Sequence, residues 1–540
     1  MPAPADFLSS QPVRPLLEPL DWAVLAGYFL LLIGVGWYFS RRASKSTSDY
    51  FLAARSMPGW AVALSLLATA QSSATFIGVP ELSYSGDLRY LSANIGTAIA
   101  AIVVAAFFLP VYYRLNVATP YQMLETRFGP GARLAASTSY LVGRVMASGA
   151  RIYIGALPFS LAIFGDETAQ HLAVCIAGFI LFGALFTLLG GVRAAIWTDV
   201  IQVGVYLGAA LVLLLILWNK LPGSIADIHQ SLSHPPDGGP SKLTILRLGI
   251  DPQKPWLGFN PADSFTLLTA VFGWSLFNMA AFGTDQDLTQ RMLTCRSAAK
   301  AGRSLVVSAV LVTLPVLLLF FSLGLLLYLY DLQSGVAAAT GPGMSTESTK
   351  ALVRFGLFDS PAGVAGLLIA GMLAAGPAGI NASLNSMSSS FVTDIYRHLA
   401  PRQSESHYLR IGRLGTIGAG IALGAFAVAC TALRGETPLI DFALGVMVFA
   451  YAGLLGVFLT ALFTRRGTSF SAIAAMITGA AAMVVLDPGV MAKLSTLRGV
   501  NLGNFTLAAP WRMLIGTALA MTVCCSVPAS RPPLTQIERP

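Results

Sequence analysis

Apolar residues in this chain come in long unbroken stretches, separated by short polar connections rich in Lys, Arg, Gly and Pro. An α-helix rises 1.5 Å per residue, so about 20 apolar residues cross the hydrocarbon core of a bilayer. Thirteen runs approach or exceed that length: 21–39, 58–80, 95–113, 134–163, 171–190, 195–218, 264–283, 303–331, 361–386, 409–432, 438–463, 469–486 and 510–528. None shows the alternating pattern of a membrane-spanning strand. The pattern predicts an all-α polytopic membrane protein with about 13 transmembrane helices.

Composition narrows the class further. Only 11% of the 540 residues are charged, 55% are hydrophobic, and mean hydropathy is +0.69. Soluble proteins carry about 25% charged residues and have no core able to hide so much apolar surface. Disorder is excluded on the same ground. Four of the five cysteines (Cys175, Cys430, Cys524, Cys525) lie inside apolar runs and Cys295 outside them, an odd set that reads as small hydrophobes. The five histidines lack metal-ligand spacing, so no metal site is expected.

Placing the N-terminus outside puts Arg41, Arg42, Lys45 and Arg55, and most of the 34 Lys and Arg, on the cytoplasmic side. The C-terminus is then cytoplasmic, in a multi-pass protein of the plasma (inner) membrane. Topology accounts for the net charge of +9, and no nucleic-acid partner is expected. Residues 1–20, with five prolines and no apolar stretch beside a cleavage site, do not read as a signal peptide. Five segments follow: 1–57, a tail, an extra helix and a cytoplasmic loop; 58–218, a first five-helix repeat; 219–263, an extracytoplasmic loop with room for a short interfacial helix; 264–463, a second five-helix repeat; and 464–540, two further helices and a short tail.

Charge inside a bilayer is costly and marks structural pairs or function. Arg144 and Arg151 fall within the fourth run, Asp199 within the sixth, and Asp441 near the outer end of the eleventh. Arg144 and Asp199 lie toward the same side and are expected to pair. Arg151, near mid-run, suits an anionic group of a solute, or backbone carbonyls. The second run reads Ala68-Thr69-Ala70-Gln71-Ser72-Ser73-Ala74-Thr75 at its centre, polar at five of eight positions. Such groups have no partners in lipid and must face protein, water or ligand. A similar weak point lies around Trp274, Ser275 and Asn278. Gly376-Pro377-Ala378-Gly379 in the ninth run is expected to interrupt that helix, ahead of Asn381, Ser383, Asn385 and Ser386. Interrupted helices in corresponding places of two halves point to a transporter binding site. Gly420 to Gly424 reads as close helix packing.

Several motifs, in order along the chain, resemble the solute:sodium symporter family. They are Ser48-Asp-Tyr-Phe-Leu-Ala-Ala-Arg-Ser-Met-Pro-Gly-Trp60, Thr75-Phe-Ile-Gly-Val-Pro80, Gly190-Gly-Val-Arg-Ala-Ala-Ile-Trp-Thr-Asp-Val-Ile-Gln202, Gly283-Thr-Asp-Gln-Asp-Leu-Thr-Gln-Arg291 and Phe391-Val-Thr-Asp-Ile-Tyr396. The resemblance runs from the first span to the eleventh. It implies a LeuT-type fold of two inverted five-helix halves plus flanking helices, and inward transport of a small organic solute or anion driven by sodium. The family's shared sodium site uses carbonyls of core helices 1 and 8 and two adjacent hydroxyls. By the resemblance the carbonyls fall on Ala68, Gln71 and Ala375, and the hydroxyl positions on Ala378 and Gly379, which have none. A hard cation such as sodium takes about six oxygens, so a degenerate cation site is expected. A second sodium position of part of the family maps to Asp199 and Asn381, the latter followed by Ala382, and is depleted too. Asp199 then reads as a lone buried acid, able to couple by taking a proton.

The resemblance suggests Gln71, Ser72, Thr75 and Asn278 as solute contacts, with Arg151 beside them. Asn278-Met279 matches a pair found in sugar-transporting members, but the lysine those members place on core helix 7 is missing. The expected function is secondary active import of a small polar solute (sugar, amino acid or carboxylate) by alternating access. Coupling is to H+, or weakly to Na+ through the depleted site. The alternative is a transporter-like solute sensor without coupled flux. No paired acids, histidine cluster or nucleophile–base set shares a depth, so the chain does not read as an enzyme. The expected partners are the solute and the lipid bilayer, with the chain acting as a monomer.

Overall fold

The computed structural model describes residues 17–40, 46–71, 73–250, 259–334, 345–433, 439–487, 490–491, 507–528 and 534–536. Among them the structure is helical, with one isolated bridge between Arg466 and Pro528. In chain order the main helices are α1 (Pro19–Ser40), α2 (Gly59–Ala70), α3 (Ser73–Ser85), α4 (Arg89–Arg114), α5 (Pro130–Phe164), α6 (Ala169–Lys220) and α7 (Ser275–Gly283). There follow α8 (Gln286–Leu293), α9 (Ala298–Gln333), α10 (Val364–Ser390), α11 (Glu405–Leu433), α12 (Leu439–Phe463), α13 (Ser469–Val485) and α14 (Ala509–Cys525). Each of the thirteen apolar runs lies largely on helix. Among the described residues six helices, or seven counting the bent pair 47–55 and 59–70, are long and apolar enough to cross a membrane.

Large side chains face outward as well as inward. Leu181, Ile421 and Phe470 are 71%, 69% and 81% exposed, the opposite of a water-soluble surface and natural where lipid is the solvent. Inside, small residues let backbones touch, as expected when lipid supplies no hydrophobic drive between helices. A Cβ at Gly366 would meet the Asp21 backbone at 2.4 Å, and the Asp21 carboxylate accepts the Gly366 N–H at 2.7 Å, which docks α1 on α10.

Two expected features of the backbone come out differently. The polar centre of the second run does break its helix: α2 ends at Ala70, Gln71 is extended (φ −78°, ψ 159°), and α3 starts at Ser73. The Gly376-Pro377-Ala378-Gly379 stretch does not, because α10 runs through it from Val364 to Ser390. Proline's missing N–H removes one hydrogen bond, and the packing along α6 and α5 holds the helix together across it. Conversely, the fifth and sixth runs are joined in α6 by a sharp turn at Gly191, whose φ of 60° and ψ of −157° favour glycine. The long loop contains a short helix, Ile225–Ser233, capped by Ser224.

Gly324 marks the tightest of these helix contacts. Its Cβ would fall 2.1 Å from both the Pro80 carbonyl oxygen and the Ser83 hydroxyl of α3, and Ser83 donates to the Phe321 carbonyl at 3.0 Å. Gly324→Val therefore has to push α3 and α9 apart. Overpacking costs about 1–3 kcal/mol, and the expected result is a lower melting temperature and reduced monodisperse yield on size exclusion, whereas Gly27→Ala, with nothing within 4 Å, leaves both unchanged.

Candidate functional site

The break between α2 and α3 opens onto a cavity of about 200 Å³. Its polar lining includes Gln71 and Thr75 from the break, Arg144 and Arg151 from α5, Asn278 from α7 and Asp287 from α8. Tyr90, Trp274, Phe277 and Tyr451 supply aromatic walls. A helix end leaves its last carbonyls without intrahelical donors, so the α2 terminus presents oxygen atoms and the negative end of its dipole to this space. The Gln71 N–H still bonds the Leu67 carbonyl at 2.8 Å, and its side chain is buried. Asn278 donates to the Trp274 carbonyl at 2.9 Å, leaving its amide oxygen available to a ligand.

The residues expected from the sequence separate in space. Gln71, Thr75, Asn278 and Arg151 come together on the cavity. Ser72 lies outside the described residues. Ala68 on α2 and Ala375 on α10 are buried. Gly379 is close to the break, since a Cβ there would stand 4.0 Å from the Thr69 carbonyl oxygen; Ala378 precedes it on α10, its side chain outside the described residues. Asn381 is fully buried, and neither atom of its amide has a hydrogen-bond partner.

The expected Arg144–Asp199 pair does not form. Arg144 instead bridges Asp285 and Asp287, with Nη1 3.1 Å from the Asp287 carboxylate. Asp287 also accepts the hydroxyls of Tyr140 (2.9 Å), Ser383 (2.8 Å) and Ser386, and Asp285 accepts from Tyr451 at 2.5 Å. The two acids sit at the start of α8, where Asp285 caps the helix by accepting the Asp287 N–H at 2.9 Å. There the helix dipole favours negative charge. Asp199, expected alone, also has partners. Its Oδ2 accepts from Ser65 at 2.5 Å and pairs with Arg291 at 3.1 Å, both ions being 0% exposed. Its other oxygen, Oδ1, is buried without a partner.

Deep charge is thus more abundant than the sequence suggests. Asp285, Asp287 and Arg291 look like residues of a polar connection and are buried, as are Arg133 and Asp394, which pair at 2.8 Å. The whole of α8 is buried although five of its eight residues are polar. A helix covered all round is normally apolar. Composition gives no signal for this, because a polar stretch such as Gly283 to Arg291 reads equally well as an exposed connection.

Removing one partner of a buried ion pair costs about 3–5 kcal/mol, because the other charge is left without compensation. Asp199→Leu is expected to lower the thermal stability of the purified protein strongly. The double variant Asp199→Leu/Arg291→Met is expected to recover most of the loss. A double variant no more stable than the single one would show that the two charges are not coupled.

With this geometry in view, comparison with known proteins is specific. Residues 50–479 match the sodium:solute symporter family. The sodium/sialic acid symporter SiaT of Proteus mirabilis (strain HI4320) is 29% identical over 471 residues, covering 87% of this chain and 90% of that protein. The substrate-bound outward-open structure of a Na+-coupled sialic acid symporter superposes with a TM-score of 0.74 at 27% identity, over 94% of this chain and 97% of the other. A nucleobase-cation-symport-1 family transporter in a closed conformation, with a TM-score of 0.51 at 14% identity over 89% and 94% of the two chains, shares the fold alone. The architecture is the LeuT-type fold of secondary transporters, and neither the family nor these relatives are enzymes. This chain belongs to the sodium:solute symporter family.

Proposed function

We propose that the chain imports a small polar solute bearing an anionic group, by alternating access across the plasma membrane, with its N-terminus outside and C-terminus inside. The observation that carries this reading is the cavity at the α2–α3 break, which Gln71, Thr75, Asn278 and Arg151 line together. Amides and hydroxyls suit a polyol or a sugar ring, and a guanidinium suits a carboxylate. Sialic acid, the solute named for the relatives, combines both groups. The repeats 58–218 and 264–463 are the two halves whose relative motion opens the cavity to each side in turn.

The coupled ion in this reading is a proton on Asp199. The carboxylate has one oxygen committed to Ser65 and Arg291 and one buried oxygen without a partner. A proton taken up by Asp199 neutralises the carboxylate and weakens its pairing with Arg291, so loading the site loosens the contact between α6 and α8. Sodium is poorly served at the positions of Ala378 and Gly379, which offer no side-chain oxygen.

Uptake by purified protein in proteoliposomes decides the matter. With labelled sialic acid, glucose and a small monocarboxylate as probes, accumulation of an acidic solute is expected under an inward proton gradient. It should persist when choline replaces sodium and fall at least tenfold in Asp199→Asn. Gln71→Ala and Asn278→Ala are each expected to weaken solute binding by about 0.5–1.5 kcal/mol. Strict sodium dependence without a pH effect would overturn proton coupling. Binding without accumulation under any gradient would overturn transport and leave a solute sensor.

A further inference from the structure

Arg151 borders two spaces. One is the central cavity at the break of α2. The other is a void of about 20 Å³ between α5, α6 and α10, lined by Ser148, Arg151 and Ile152, by Phe179, and by Gly376, Gly379 and Ile380. The second space is no larger than a single water. It reaches the part of α10 that faces the end of α2, because Gly379 stands beside the Thr69 carbonyl. One side chain therefore runs along the wall that joins the terminus of a broken helix to the backbone of α10.

The electrostatic demand at this wall is for positive charge. The α2 terminus at Ala70 presents the negative end of its dipole, and a helix end leaves its last carbonyls without intrahelical donors. A small hard cation meets that demand only if about six oxygens surround it, and α10 contributes no side-chain oxygen at 378 or 379. A guanidinium has the opposite requirement. It brings five N–H donors, needs acceptors on one plane only, and stays charged at any physiological pH. Backbone carbonyls around a helix break, beside residues too small to obstruct an arginine, suit it well.

We propose that the Arg151 guanidinium is a tethered cation that serves the α2 break in place of a bound sodium ion. The proposal deepens the transporter reading by assigning the charge at its solute site. It predicts that the protein binds no sodium at this wall, and its test involves no solute. The purified full-length chain is melted in NaCl and in choline chloride at matched ionic strength, since a ligand of the native state raises the melting temperature in a saturable way.

The wild type is expected to melt at the same temperature in both salts. Ala378→Ser/Gly379→Ser, which restores two hydroxyls where a Cβ at 379 finds its nearest described neighbour 4.0 Å away, is expected to remain indifferent while Arg151 is present. Adding Arg151→Met to that pair is expected to create a saturable, sodium-specific rise of several degrees. A sodium-specific rise in the wild type, or in the Ser/Ser variant with Arg151 intact, would overturn the proposal. So would a folded triple variant that ignores sodium. Arg151→Gln in the same background, read by equilibrium binding of radioactive sodium, covers the case in which the methionine variant does not fold, and no binding there has the same adverse meaning. A chain that fails this test and still accumulates solute in vesicles remains a transporter, so the two readings fail separately.

Discussion

Asp285 and Asp287 begin a short helix that is buried along its whole length, and Arg144 of α5 holds both of them. Isolating such an ion in a low-dielectric interior costs several kcal/mol, and the cost is recovered only when every lone pair and every N–H is met. Around this contact that condition is largely fulfilled, with Tyr140, Ser383, Ser386 and Tyr451 donating to the two acids. The donors come from α5, α10 and α12. The charge on α8 therefore fixes how three long helices stand around the cavity. Cavity shape and charge pairing are one constraint, because Arg144 and Asp287 also form part of the cavity lining.

The other buried pairs repeat the arrangement. Arg291 of α8 reaches Asp199 of α6 and Ser65 of α2, and Arg133 of α5 reaches Asp394 just beyond α10. Each joins a helix before the long 219–263 loop to a segment after it. Movement between the two halves has to carry these pairs intact or separate them, and separation exposes unpaired ions to an apolar surround. Rigid-body motion that preserves the ion pairs is cheaper than sliding through them. The Asp199–Arg291 pair differs in having a carboxylate oxygen left over, and a proton taken up there would weaken its hold on Arg291.

Much of this was legible in the sequence. The continuous apolar runs required membrane helices, and the polar octet from Ala68 to Thr75 required a break or a buried interface; both follow from the absence of water in the bilayer. Arg151, Gln71, Thr75 and Asn278 stood out because polar groups at mid-run have few innocent explanations. Pairing was not legible. Nearness in depth suggested Arg144 with Asp199, but depth leaves angular position around the bundle undetermined, and the true partners lay in a connection that looked solvent-exposed. Gly376-Pro377 misled for a related reason. Proline weakens a helix locally, and only the neighbours packed along α10 decide whether it breaks.

A cation at the α2 terminus can play two parts that are usually combined in one ion. It can neutralise carbonyls and a solute's negative charge, and it can carry the energy of a gradient by binding on one side and leaving on the other. A guanidinium on α5 performs the first part permanently and cannot perform the second, because it never leaves. In the proposed arrangement the driving force comes from a group that exchanges its ion with solution, and among the described residues Asp199 has a buried carboxylate oxygen without a partner. Separating the roles relaxes what the α10 wall must supply. With charge provided from α5 as proposed, hydroxyls at 378 and 379 would have no ion to coordinate, and the small residues there leave space beside the Thr69 carbonyl. On that proposal the absence of two side-chain oxygens and the presence of a mid-membrane arginine share a single physical cause.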